Sequence, residues 1–203
     1  MKKRFILFAV LACSLFFFVG YLSAPSPYSS ALVDAVAVKH DGGGVVTTIR
    51  FIVKPGTGKL LLDVSESLYD ADTELSLARA RDAAEELMGV SLDNRDIYFS
   101  IEEDEPLIVS GASGGAAFVA GITAAVLGAE LNQAGIVSAQ VNGSLIAPVG
   151  GIDEKIVAAI QEGKEFFIIA ENQTVKYEGA HSQSILIVRV RSLDEAVRLL
   201  LSQ

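Results

Sequence analysis

The chain of 203 residues has no tryptophan, a single cysteine and only two histidines. One thiol, Cys13, cannot close an intramolecular disulfide, and His40 and His181 lack the spacing that zinc sites use. Neither a metal nor another cofactor is expected. Basic residues are also scarce: 16 Lys and Arg stand against 25 Asp and Glu, for a net charge of −9. No basic patch is present to displace counterions from a phosphate backbone, which argues against a nucleic-acid partner. What the chain has in quantity is apolar residues, 51% of the total, raised by its N-terminus and its Ala-rich segments. The length fits one domain plus an appendage and suffices to bury a sizeable core.

The appendage is the N-terminus. Met1-Lys2-Lys3-Arg4 precedes an apolar run from Phe5 to Leu22, about the length that crosses a bilayer core and longer than the usual apolar region of a signal peptide. Pro25 hinders cleavage after Leu22-Ser23-Ala24, so an uncleaved, single-pass signal anchor is favoured over a secreted, processed form. The basic flank stays cytoplasmic by the positive-inside rule, which places everything after Ser23 outside the cytoplasm, at the cell membrane. Val10-Leu11-Ala12-Cys13 is similar to a lipid-attachment box, but the apolar run continues past Cys13 and argues against lipidation. The expected organisation is an anchor over 1–24, a Ser- and Pro-containing linker over 25–31 and one globular domain over 32–203.

Within that domain Leu32 to Val38 and Val45 to Val53 read as strands joined by the turn His40-Asp41-Gly42-Gly43-Gly44. Pro55-Gly56-Thr57-Gly58-Lys59-Leu60 looks like the end of a nucleotide-binding loop. The required Ser or Thr after Lys59 is missing, however, and strand-like Leu60 to Val64 follows where a helix is needed, so no ATP site is expected. Thr73 to Met88, with Leu75, Ala78, Ala83, Leu87 and Met88 among many charges, reads as an amphipathic helix ended by Gly89. Further strands are expected at Ile97 to Ile101, Glu165 to Ala170 and Ile185 to Val190. A hairpin is expected around Asn142-Gly143, between Ile136–Val141 and Ser144–Ala147. Ser192 with Glu195 forms a capping-box signal for a last helix from Leu193 to Leu201. Asn142-Gly143-Ser144 and Asn172-Gln173-Thr174 are also glycosylation sequons. Runs of strands interspersed with helices, together with the hairpin signals, point to an α+β fold rather than a doubly wound parallel sheet.

Two stretches carry candidate chemistry. Ser110-Gly111-Ala112-Ser113-Gly114-Gly115 leads from the short apolar run Leu107-Ile108-Val109 into a segment with Ala, Val, Ile and Leu on every side, the pattern of a helix buried all round. Ser113 at this turn is either an N-cap or a nucleophile at a helix N-terminus, with nearby amides serving as an oxyanion hole. In Pro148-Val149-Gly150-Gly151-Ile152-Asp153-Glu154-Lys155, a Gly-Gly turn opens a second helix. Asp153 and Glu154 suit the positive end of its dipole, whereas Lys155 does not. Lys155 is either a surface lysine lying along the helix or a buried one, whose proton affinity desolvation would lower toward that of a general base.

Taken together, these stretches resemble the proteolytic domain of Lon proteases, which are Ser-Lys dyad peptidases. Gly111-Ala112-Ser113-Gly114-Gly115 looks like that family's nucleophile motif, with Ala112 where the family carries Pro. Pro148 to Lys155 looks like its lysine motif, and the likeness runs from about Val36 to the end. The resemblance implies a Lon-like α+β domain in which Ser113 is the nucleophile and Lys155 the base. Ser138 is the nearest match to the threonine that orients the lysine, and amides near Ala112 and Gly114 are the oxyanion donors. The expected function is an ATP-independent serine endopeptidase acting on unfolded or membrane-proximal polypeptides, with a homo-oligomer left open. Two alternatives remain at this point: a peptide-binding module of the same fold that has lost catalysis, and a small-molecule kinase holding phosphate at the Ser113 loop.

Overall fold

The structure, a computed structural model, describes residues 28–39, 42–65, 67–102, 107–109 and 111–202. The apolar run Phe5–Leu22, Cys13, His40 and Ser110 lie outside the described residues. No helix among the described residues is long and apolar enough to cross a membrane.

The alternating sequence of the first strands builds the main sheet. β1 (Ser29–Val38) pairs antiparallel with β2 (Gly44–Pro55), which pairs antiparallel with β5 (Arg95–Glu102); β3 (Leu60–Leu62) adds parallel to β5. β1 begins earlier than the expected linker boundary: Ser29, Ser30 and Ala31 pair with Val53, Ile52 and Phe51. The reason is that β2 runs on to Pro55, and its end would otherwise present unpaired backbone groups. One face of this sheet carries Val33, Ala35, Ile49, Phe51, Val53, Ile97, Phe99 and Ile101, all buried.

Two helices cover that face. α1 (Ala71–Met88) is capped by Asp70, which accepts from Thr73 N at 2.8 Å, and stops at Gly89 in the left-handed conformation. Its buried stripe is Thr73, Ser76, Leu77, Ala80, Ala83 and Ala84, one face at helical spacing. Leu75, expected on the apolar side, is 47% exposed because it falls off that stripe. α2 (Gly115–Leu127) follows a single 3₁₀ turn, Ala112–Gly114, and is buried from Gly115 through Ala125. Small residues allow it to lie close to the sheet. A Cβ added at Gly121 would overlap the Phe51 ring, and Phe118 meets Phe99 and Phe51 with ring centroids 5.3 and 6.3 Å apart.

The second half of the chain adds a parallel sheet in the order β11-β10-β7, from β7 (Gly135–Val137), β10 (Phe166–Ala170) and β11 (Leu186–Val190). β10 reads as a continuous apolar run, and both of its faces are buried, as in a parallel sheet covered on each side. Ile168 and Ala170 join the main core, while Phe167 and Ile169 meet α3 (Ile152–Gln161) in a second cluster with Val36, Ile136, Ile152 and Ile156. β8 (Gln140–Asn142) and β9 (Leu145–Ala147) form a hairpin, β4 (Ser67–Tyr69) pairs parallel with β6 (Leu107–Val109), and short α4 (Glu178–His181) and α5 (Leu193–Leu200) complete the order. Ser192 caps α5 through Glu195 N at 3.2 Å. The described chain is thus one small mixed α+β domain, with long antiparallel pairs in the main sheet and shorter parallel pairs at its β3 edge and elsewhere.

The expected strand Ile136–Val141 is two strands. It breaks at Ser138-Ala139, where Ser138 N donates to Ile168 O and Ala139 N donates to Ser113 O, each at 3.1 Å. The chain leaves the parallel sheet there to reach the hairpin. The close approach of α2 to the sheet generates a test: Gly121→Ala should lower stability by about 1–3 kcal/mol, since the added methyl must displace Phe51. The urea midpoint measures this, and an unchanged midpoint would show that the contact is slack.

Candidate active site

Ser113 lies in the 3₁₀ turn ahead of α2, half-buried. A capping serine needs an extended backbone just before the first helical residue. Gly114 holds the position before α2 with φ −82° and ψ −5°, Gly111 the position before the 3₁₀ turn, and neither helix start has a side-chain cap. Ser113 is therefore inside the turn, and its hydroxyl is not spent on capping. Glycine shapes the surroundings. Gly111 has φ 97°, open to glycine but strained for other residues. A Cβ on Gly115 would stand 3.2 Å from Ser76 Oγ and 3.3 Å from Val141 N, so bare backbone lets α1, α2 and β8 converge on this turn. Gly115 N–H donates to Ala112 O and Ala116 N–H to Ala139 O. Any oxyanion role consequently falls on the amides from Ala112 to Gly114.

Lys155 is fixed from the other side. Gly151 opens α3 with φ 65°, and Lys155 N–H closes the first turn onto Gly151 O at 3.1 Å. Its side chain is 3% exposed, and Nζ meets the Ser138 hydroxyl at 3.3 Å. Ser138 is the residue next to Ala139, whose N–H is bonded to Ser113 O. The Ser138-Ala139 connector thus touches both the serine turn and the lysine. Burial lowers the Lys155 pKa to about 8.

A second buried lysine shows what is unusual about the first. Lys164 is also buried, but its Nζ pairs with Asp34 and donates to Gln133 O at 2.7 Å, and Asp34 in turn accepts from Thr48 Oγ1 at 2.7 Å. That lysine is paired with a carboxylate and tied into the frame. The carboxylates beside Lys155 in sequence are directed elsewhere: Glu154 is exposed, and Asp153 accepts from Lys176 N (3.1 Å) and Tyr177 N (2.9 Å) and meets His181 Nε2 at 3.1 Å. The hydrogen bonds outweigh burial, and the Asp153 pKa is lowered.

Sequence reasoning missed the support behind the lysine. Gln173, read as the middle of a sequon, is buried; its side chain accepts from Val149 N at 2.8 Å and donates to Val149 O at 3.2 Å. Gln173 and Asp153 hold the chain on both sides of Gly150-Gly151, the flexible step from which α3 starts. No local signal could reveal this, because the partners are about 24 residues apart.

A cleft of about 560 Å³ lies between α1 and the β8–β9 hairpin, lined by Arg79, Asp82 and Glu86 on one wall and Gln140 to Gly143 on the other. Neither Ser113 nor Lys155 lines it; Val141 connects it to the serine turn. The loop at Pro55–Leu60 offers no phosphate cradle, since Asp96 already accepts from Thr57 N at 2.7 Å and Lys59 N at 3.0 Å. Among the described residues no cluster of His, Cys, Asp or Glu could hold a metal ion.

No protein-family model matches the chain, and no curated protein matches it significantly in sequence. The arrangement is defined by its chemistry alone: an α+β domain in which the Ser138-Ala139 connector bonds the Ser113 turn on one side and, on the other, a buried lysine with no ion-pair partner among the described residues.

The lysine's burial sets a pH test. The folded chain releases this proton near pH 8 and the unfolded chain near 10.5, so the unfolded state holds more protons between those values and stability rises with pH across that window. Below pH 8 the full penalty remains, about 3 kcal/mol. Lys155→Met should be more stable than the native chain at pH 7 and should lose the rise. Urea unfolding as a function of pH measures it, and parallel curves for the two proteins would refute the assignment.

Proposed function

We propose that the chain is a membrane-anchored, ATP-independent serine endopeptidase of the Lon proteolytic type, with Ser113 as nucleophile and Lys155 as base. The observation that carries this reading is the buried Lys155, whose Nζ has the Ser138 hydroxyl and no carboxylate beside it among the described residues. A structural lysine in the same domain, Lys164, has its aspartate. A base, by contrast, needs the neutral amine, which burial favours.

In the proposed reaction the neutral Lys155 amine takes the proton of the Ser113 hydroxyl as Oγ bonds to a peptide carbonyl carbon. The carbonyl oxygen becomes an anion facing the amides from Ala112 to Gly114. Collapse breaks the C–N bond, and the Lys155 ammonium returns its proton to the leaving amine. Water, deprotonated by the same amine, then hydrolyses the acyl-enzyme. Ser138 directs Nζ toward the turn, in the place of the Lon family's orienting threonine. The β9 edge is taken up by Arg191 to Leu193, through Ile146 N to Arg191 O and Leu193 N to Ser144 O, so the β8 side, which lines the cleft, is the one that suits an extended polypeptide added as a further strand. Substrates of this kind are unfolded or membrane-proximal chains.

The non-catalytic alternative leaves the uncompensated burial of Lys155 without a use. The kinase alternative meets a turn whose Gly115 and Ala116 amides are already bonded to Ala112 O and Ala139 O, so neither is free to hold phosphate.

Ser113→Ala and Lys155→Ala should each reduce casein hydrolysis by several orders of magnitude, and the double variant should be scarcely worse than either, because the pair acts as one unit. Lys155→Arg should be as inactive as the alanine variant, since a guanidinium does not deprotonate near neutral pH. The native rate should rise with pH through about 8 and should not respond to ATP. A folded Lys155→Ala protein that cleaves casein at the native rate would refute the dyad.

A further inference from the structure

At the end of the main sheet where β1 begins, Tyr28 and Tyr98 are 55% and 37% exposed, and Lys54 lies between them, its Nζ 4.3 Å from the Tyr98 ring centroid and 6.0 Å from that of Tyr28. The cross-strand partner of Lys54 is Asp96, but that carboxylate is spent on the amides of Thr57 and Lys59. Ile52 and Leu61 stand directly beside Tyr98 on the neighbouring strands. They share its face, opposite the one that carries Phe51 and Phe99. The result is an apolar patch edged by phenol hydroxyls and an ammonium on a flexible stem, side chains that settle where hydrocarbon gives way to water.

The chain's own length says what covers this patch. The apolar run ends at Leu22, six residues before Tyr28, and six residues reach at most about 20 Å even when fully extended. If Phe5 to Leu22 spans a bilayer, Tyr28 cannot stand far from its surface.

The candidate site lies at the other end of the hairpin. β1 has 10 residues, so Val38 is roughly 30 Å from Ser29. A Cβ on Gly151 would overlap Val38, and one on Gly44 would overlap Glu154 O, which puts the start of α3 at the Val38 end. α2 runs antiparallel to β1: Gly121 abuts Val33, and the later Ala129 to Leu131 share a cleft with Ser30 to Leu32. Its Ser113 end therefore points away from Tyr28.

We propose that the sheet end formed by Tyr28, Ile52, Lys54, Leu61 and Tyr98 rests in the headgroup layer of a lipid bilayer, with the β1–β2 hairpin holding Ser113 and Lys155 roughly 30 Å out. The proposal rests on the anchor and deepens the peptidase reading. Among the unfolded or membrane-proximal chains proposed above, cleavage then falls on segments that reach roughly 30 Å from the bilayer surface, and the stretch that emerges directly from the membrane is spared.

The absence of tryptophan makes the test direct. Tyr98→Trp and, separately, Val157→Trp at an exposed position of α3 each create a single fluorescent reporter in the full-length chain. Each protein is reconstituted into phosphatidylcholine–phosphatidylglycerol vesicles with and without lipid brominated high on the acyl chain. Tyr98→Trp should emit at shorter wavelength and lose about half its intensity to the bromolipid, whereas Val157→Trp should lose almost none. Tyr28→Trp serves as a second reporter if Tyr98→Trp fails to fold, with the same expectation. Failure to sediment with vesicles would overturn this proposal together with the anchor. Sedimentation with an unquenched sheet-end reporter, or with equal quenching at Val157, would overturn the docking alone. Casein cleavage by the same preparations reports on the Ser-Lys chemistry independently of all three outcomes.

Discussion

The domain depends on how closely α2 can lie against the main sheet. Gly121 offers no side chain where Phe51 needs room, and the alanines around it keep the helix axis near the strands. Because interiors pack at crystal density, a helix so placed cannot drift or rotate without opening voids. Its first turn is consequently fixed in space, and with it Ser113. The same closeness brings Val141 and Ser76 against Gly115, so α1 and the hairpin are located by the same contact.

Lys155 is held by a different means. A buried amine with a hydroxyl but no carboxylate beside it among the described residues opposes folding, and the surrounding structure has to over-determine its position. Gly150-Gly151 alone would leave α3 free to swing. Gln173 grips the backbone of Val149 as a neighbouring strand would, and Asp153 gathers two amides and an imidazole on the far side. Support on both sides fixes the direction in which α3 leaves the turn, and with it where Nζ stands, as the proposed proton transfer would require.

Much of the frame was legible from local pattern. The nearly all-apolar composition of Ala116 to Val126, broken only by Thr123, the left-handed stop at Gly89, the continuous run at Phe166 to Ala170 and the Ser192 capping box each encode an element through its immediate neighbours. The site was legible only in part. Lys155 and Lys164 are both buried lysines, and what separates them is Asp34, 130 residues from Lys164 in sequence. In sequence Ser113 suits a cap as well as a nucleophile; the 3₁₀ turn puts Gly114 at the helix start, which removes the capping position and no more. The break at Ser138-Ala139 was hidden because both residues suit a strand; only the competing bonds to Ile168 and Ser113 divide it. Leu75 points outward because the stripe of α1 is set by Leu77, Ala80 and Ala84, and composition alone does not rank them.

The Ser138-Ala139 connector has a thermodynamic consequence. One of its residues anchors the backbone of the serine turn, the other contacts the lysine, and the next residue, Gln140, begins the hairpin beside the cleft. If a ligand in the cleft displaced the hairpin, the hydroxyl bonded to Nζ would be displaced with it. Occupancy of the cleft and protonation of Lys155 would then be linked equilibria, each altering the other by the same factor. The uptake or loss of a fraction of a proton on binding would be the visible sign that the two halves of the domain work as a single titrating unit.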